Sequence, residues 1–357
     1  MTLLSISQLK AAAREHPPVD GEIHAQIEKL TRKEASNGKP FYEAQFRDES
    51  DSMTLRAWAD TEAFEACASM KEGDFVSLRG SFSHNAAFGL DARGWEAMIL
   101  DEDLIETLLR GSEERIRLLE RCESVIAEAV SEIRDLRIRQ LCELFLNQHG
   151  PRFRRAAAAR GNHHARRGGL LEHTSRMMEC ALALCSVYPE LNRDLVIAGV
   201  LFHDTGKLWE TCTPERGFGI ETELRGELLG HLSIGIELVN TLWRELPKSG
   251  WEALRPPSEE VRLHLLHLVA SHHGQLEFGS PILPKTPEAA ILHFIDNIDA
   301  RMEMFFAAYA KVTGSRAERE WVRPLGVAPV PSLSKAEDLE SVSAKITPFE
   351  ENNPMLL

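Results

Sequence analysis

The chain has 357 residues, 43% of them hydrophobic and 27% charged, with a formal net charge of −14. That length suits two domains better than one core, and the acidic balance speaks against broad, non-specific binding to duplex nucleic acid. Nothing in it is long and apolar enough to span a bilayer, "MTLLSISQLKAAAREH" lacks the pattern of a secretory signal, and six scattered cysteines without a C-x-x-C pair read as reduced, mostly buried thiols of a cytoplasmic protein.

Residues 19 to about 100 alternate as strands do. "GEIHAQIEKLTRK" leads through "EASNGKP", with its Asn37-Gly38 turn signal, into "FYEAQFRD" and then "DSMTLRAWAD". "TEAFEACASM" interrupts as a short helix, and "DFVSLRGSFS" and "FGLDARGWEAMIL" supply two more strands. Three strands, a helix and two strands is the order of a five-stranded OB-type β-barrel. Such barrels stack single-stranded bases on aromatic rings, for which Phe41, Phe82, Phe88 and Trp95 are the candidates. Lys29, Arg32, Lys33, Lys39, Arg47, Arg56 and Arg79 are available to line one barrel face.

From about residue 101 the apolar spacing becomes helical and stays so to about 315. The expected fold class is therefore multidomain α+β, with a β-barrel at 1–100, linking helices at 101–150, an all-α domain at 151–315 and an extended tail at 316–357. Between Pro151 and Arg176 lie seven arginines and one acid. Within this basic island Asn162, His163, His164, Arg166 and Arg167 precede a Gly-Gly turn and a helix start, an arrangement suited to a phosphate or ribose.

The helical part carries an unusual set of polar interruptions. "RDLVIAGVLFHD" reads as a helix buried on all sides, yet it ends in His203 and Asp204. A carboxylate there is costly unless paired or bound to a metal. Adjacent helix residues point about 100° apart, so other segments must complete any chelate. His173, His231, His272, His273 and Asp296 interrupt other apolar helices in the same way. Imidazole and carboxylate donors suit Mn, Fe, Ni, Co or Zn rather than Ca. His24, His264, His267 and His293 read as ordinary surface or hydrogen-bonded core histidines, and Asp299 as a supporting or merely helix-face acid.

The order His173, His203-Asp204, Asp296, with "HDTGK" at 203–207, resembles the HD superfamily of metal-dependent phosphohydrolases. His231 and "SHHG" resemble its binuclear branch. That resemblance implies an ion held by His173, His203 and Asp296, a second held by His231, His272 and His273, and Asp204 between them. "NHHARRGGLLEHT", "GELLGHLSIGIEL" and "SHHGQLEFGSPILPKTPEAAILHFIDNIDARM" look like the YhaM-type 3′-to-5′ exoribonucleases, which join an OB-type domain to an HD domain. The likeness covers about residues 15 to 325; Thr205 departs from it, standing where an aliphatic residue is usual. It implies Mn as the supporting ion, single-stranded RNA (with DNA open) as the partner, and a homo-oligomer. Asp204 and Lys207 are then the expected catalytic residues, Lys207 offsetting charge on the phosphoryl oxygens. A small-nucleotide phosphohydrolase, or a nucleic-acid-binding protein with a non-catalytic HD domain, are the competing readings.

Overall fold

A computed structural model of the chain describes residues 2–85, 89–161, 164–311 and 321–330. Its N-terminal part is one antiparallel sheet. A short strand β1 (Thr2–Leu3) and a capped helix α1 (Ile6–Glu15) lead into the long β2 (Val19–Glu34), followed by β3 (Pro40–Arg47), β4 (Ser52–Trp58), helix α2 (Glu62–Ser69), β5 (Phe75–Asn85) and β6 (Gly89–Ile99). The strand order is β4-β3-β2-β5-β6, with β1 added in parallel beside β2. Alternation decides which side is buried: Met53, Leu55 and Ala57 of β4 face inward while Thr54, Arg56 and Trp58 face outward. α1 and α2 close over the inward side, where Leu9, Ile23, Phe46, Leu78 and Phe82 share one core.

The expected order of strands and helix is therefore present. Closure into a barrel is not: among the described residues no ladder joins the edge strands β4 and β6. They are bridged instead by the Trp95 indole, which donates to the Arg56 carbonyl at 3.3 Å.

The rest is helical: α3 (Glu102–Arg110), α4 (Glu113–Ser131), α5 (Leu136–Arg155), α6 (Gly169–Val187), α7 (Arg193–Phe202), the single turn α8 (Lys207–Glu210), α9 (Leu224–Glu245), α10 (Ser258–Ser271) and α11 (Pro287–Lys311). Asp101, Ser112, Asp135 and Asn192 cap α3, α4, α5 and α7 with side-chain oxygens. α7 is the axis of this part: every residue from Leu195 to Phe202 is buried, as the uniformly apolar sequence requires. A small cluster of Phe75, Leu100, Ile105 and Phe218 joins sheet to helices, and Gln26 accepts from the Phe218 backbone at 2.9 Å. Residues 1–303 form one compact unit. No helix among the described residues is long and apolar enough to cross a membrane.

Candidate metal centre

His203 caps the C-terminal end of α7, and Asp204 follows it in the turn toward α8. Both are buried. His173 comes from α6, His272 and His273 from the end of α10, and Asp296 from α11. His231 reaches the site through a break in α9. Gly230 has φ 66°, ψ 160°, a conformation that side chains disfavour, so a new helical segment starts at His231. Gly206 makes room for it, since a Cβ there would lie 1.9 Å from the His231 carbonyl oxygen.

These side chains converge on one carboxylate. Asp204 Oδ2 lies 3.2 Å from His203 Nε2 and 3.8 Å from His173 Nε2. Asp204 Oδ1 lies 3.5 Å from His272 Nε2 and 3.6 Å from His231 Nε2. Asp296 Oδ1 stands 3.3 Å from His173 Nε2. His273 Nε2 stands 3.1 Å from His231 Nε2. Lys207 donates to Asp204 Oδ2 at 2.6 Å.

The outward nitrogen of every one of these imidazoles is occupied. His203 Nδ1 bonds to the Val200 carbonyl at 2.9 Å, His272 Nδ1 to Val269 at 2.8 Å and His273 Nδ1 to Phe278 at 2.7 Å. His173 Nδ1 bonds to Asp299 at 2.7 Å and His231 Nδ1 to Glu210 at 2.6 Å. A carbonyl can only accept, so the proton of His203, His272 and His273 sits on Nδ1 and the lone pair on Nε2 points inward. Lone pairs thus face a carboxylate at 3.5 Å, and Asp204 Oδ1 and His272 Nε2 are buried with no hydrogen-bond partner. Such an arrangement of acceptors is unfavourable by itself and is resolved by a cation between them. The donor set, imidazole nitrogens and carboxylate oxygens with each imidazole oriented by an outer partner, fits a divalent transition metal.

Electrostatics point the same way. Burial works against charge on Asp204, but Lys207 and His203 outweigh it and hold the carboxyl well below its usual range. Burial pushes His272 down to about 4, which keeps it neutral and able to ligate. Burial opposes charge on His173 too, yet Asp296 and Asp299 prevail and raise it to about 9. The carboxylates that favour a proton there favour a metal cation equally.

The expected substrate loop turns out differently. Asn162 and His163 lie outside the described residues. His164 is buried and shares Asp299 with His173, its Nε2 2.9 Å from Oδ2. Arg166 pairs with Glu172 at 2.8 Å and Glu303 at 2.9 Å. Arg167 donates to the carbonyls of Pro214, Gly217 and Glu215. The rest of the basic island is engaged as well: Arg152 with Glu223, Arg154 with Glu123, Arg160 with Thr222 and Arg176 with Glu303. These cations anchor loops and helices, and His164, Arg166 and Arg167 are not a free phosphate seat.

Two of the expected stacking residues are also reassigned. Phe82 is fully buried, and Trp95 is 4% exposed and edge-on to Phe46, because both occupy inward-facing strand positions. Phe41 points to the outward side but is covered there by Trp58 and is itself buried, and Phe88 lies outside the described residues. Glu210, which orients His231, had no distinguishing signal in the sequence beyond its place three residues after Lys207. Asp299 was visible as an acid one helical turn past Asp296, but not as the partner of two histidines.

Fold and site together define a metal-dependent phosphohydrolase of the HD class. The family model described as "HD domain" matches residues 170–301. The 3′-5′ exoribonuclease YhaM of Bacillus subtilis (strain 168) is 33% identical over 299 residues, covering 82% of this chain and 89% of that protein. The 3′-5′ exoribonuclease YhaM of Geobacillus sp. (strain WCH70) is 33% identical over 296 residues, covering 82% and 85%. A solved NMR structure of a replication factor A related protein from Methanobacterium thermoautotrophicum is similar over 28% of this chain and 91% of its own, at 12% identity and TM-score 0.22. The chain belongs to the YhaM family.

Proposed function

We propose that the chain is a 3′-to-5′ exonuclease acting on single-stranded RNA with two divalent cations, Mn being the expected ion. The observation that carries this reading is the division of Asp204: Oδ2 faces His173 and His203, while Oδ1 faces His231 and His272. His173, His203, Asp204 and Asp296 would hold one ion, and Asp204, His231, His272 and His273 the other. Bound there, a cation pair supplies the positive charge that acidifies a water and offsets charge on the phosphoryl oxygens.

The protein's own groups do the rest. Asp204 keeps both half-sites in register through a single side chain. Lys207, 2.6 Å from Asp204 Oδ2, sets a further positive charge beside the carboxylate, where it can meet a phosphoryl oxygen. Burial of His173, His203 and His272 excludes water from the inner side and strengthens every charge interaction there. The exonuclease direction and the RNA preference come from the relatives, whose names state both.

The test is digestion of a 5′-labelled single-stranded RNA with Mn. The expected result is progressive shortening from the 3′ end, abolished by chelation and by His203→Ala. Internal fragments, or hydrolysis of mononucleotides without shortening of the strand, would replace this reading with a different phosphohydrolase. Sedimentation of the same preparation tests the homo-oligomer that belongs to this reading.

A further inference from the structure

The turn at 164–166 lies on the outer side of His173, where its side chains serve the metal centre rather than a phosphate. His164 is 1% exposed and has φ 47°, in the left-handed region that suits glycine. No other non-glycine residue among the described residues takes a positive φ. Such strain persists only where the surroundings over-determine it, and here they do. The His164 carbonyl accepts from the backbone of Ala158 at 3.2 Å and of Arg166 at 2.9 Å. Gly169 opens α6 without a side chain, since a Cβ there would lie 2.0 Å from the same carbonyl oxygen.

The strained backbone aims the ring at one atom. His164 Nε2 lies 2.9 Å from Asp299 Oδ2, the oxygen that also holds His173 Nδ1 at 2.7 Å. His164 Nδ1 faces Arg166 Nη2 at 3.5 Å. A guanidinium can only donate, so Nδ1 accepts and the ring proton sits on Nε2, directed at Asp299. Asp299 therefore receives two imidazole N–H groups on one oxygen, with the Arg176 guanidinium 3.8 Å from the other. Held as an acceptor, it requires the proton of His173 on Nδ1 and leaves the Nε2 lone pair facing inward. Arg166 braces the same region, donating to Glu172 at 2.8 Å and to Glu303 at 2.9 Å. Glu172 precedes His173 on α6, and Glu303 lies one turn beyond Asp299 on α11. The turn thus ties together the two helices that carry His173 and Asp296.

We propose that His164 is a positioning residue for one ion only: acting through Asp299, it fixes the tautomer and direction of His173 and so sets the affinity of the half-site made by His173, His203 and Asp296. The proposal rests on the two-cation reading above and adds to it a residue that touches neither ion.

The experiment loads the full chain with MnCl2, dialyses it against graded concentrations of EDTA and measures the Mn retained by elemental analysis. In His164→Leu, half of the Mn is expected to leave at about tenfold lower chelator than in the wild type, and the other half at the wild-type concentration. His164→Gln, whose amide N–H can stand where Nε2 stands, is expected to hold Mn nearly as the wild type does, and His164→Asn, whose amide reaches only as far as Nδ1, to behave like His164→Leu. The Gln and Asn pair decides the matter if His164→Leu does not fold, which thermal unfolding establishes. His164→Leu combined with Glu210→Ala is expected to release both halves early. Unchanged Mn retention in folded His164→Leu and His164→Asn proteins overturns the proposal, and the exonuclease reading still stands if the wild type trims RNA. Simultaneous early loss of both ions from the single variants also overturns it, because a residue that only supports the core would loosen both half-sites. Selective loss of half the Mn, with rescue by Gln, from a protein that trims no RNA supports this role and removes the exonuclease reading.

Discussion

Glu210 Oε2 accepts from His231 twice, from the backbone at 2.5 Å and from ring Nδ1 at 2.6 Å. One carboxylate thus caps the helical segment that begins after Gly230 and aims the imidazole. The two half-sites differ in construction. His173, His203 and His272 are fully buried, whereas His231 and His273 lie at partly exposed positions. Outer partners of this kind are worth about 10- to 100-fold in metal affinity. With two cations bound as proposed, Glu210→Ala is therefore expected to lose about half of the metal on dialysis and to retain the ion assigned by that proposal to His173, His203 and Asp296. Elemental analysis of dialysed protein measures this, and equal metal in mutant and wild type would contradict it.

Lys207 is held by Asp204 alone among the ion pairs of the described residues. Its removal leaves the histidines and Asp296 in place. Lys207→Ala is expected to lower kcat about a hundredfold with little change in metal content, and Lys207→Arg to restore part of the rate. Steady-state kinetics alongside metal analysis distinguish this from a structural role, in which metal would be lost together with activity.

Away from the site, Arg137 is 1% exposed. It is held by Asp135 at 2.6 Å, the Pro256 carbonyl at 2.7 Å and Ser258 Oγ at 3.1 Å. Asp135→Asn would strand this cation in the interior and is expected to cost about 3–5 kcal/mol. Burial works against charge on Asp135, but Arg137 outweighs it and lowers its pKa. A carboxyl depressed in the folded state contributes stability above its unfolded pKa of about 3.9 and loses it as pH falls through the folded value. Chemical denaturation as a function of pH is expected to show wild-type stability falling over that acid range and the mutant losing this component.

The cysteines allow a chemical test of burial. Burial pushes the Cys67 thiol up to about 11, and Cys142 is raised further still by the same cause. At pH 8 the thiolate fraction of Cys67 is about one in a thousand. Iodoacetamide is expected to label the part-exposed Cys180 and Cys185 first and to reach Cys67 and Cys142 only on unfolding. Mass spectrometry of a labelling time course reads the order, and early labelling of Cys142 would show that the α5 core opens.

Sequence alone carried the periodic and the costly features. The strand alternation, the Asn37-Gly38 turn, the short helix between strands and the change to helical spacing near residue 101 all reappear in the fold, because local burial imposes them. His and Asp in otherwise apolar helices stood out for the same reason: a buried polar group needs a partner, and six such positions collect around Asp204. What tertiary structure decided was pairing. The seven arginines from Arg152 to Arg176 looked like a phosphate seat, yet partners such as Glu123, Glu223 and Glu303 lie far along the chain, and only packing brings them together. Phe82 and Trp95 could not be told from Trp58 by residue type, since strand register determines which ring faces the core and which faces water. Spacing along a chain records what each segment must bury, whereas the partner across the interface is chosen by the fold.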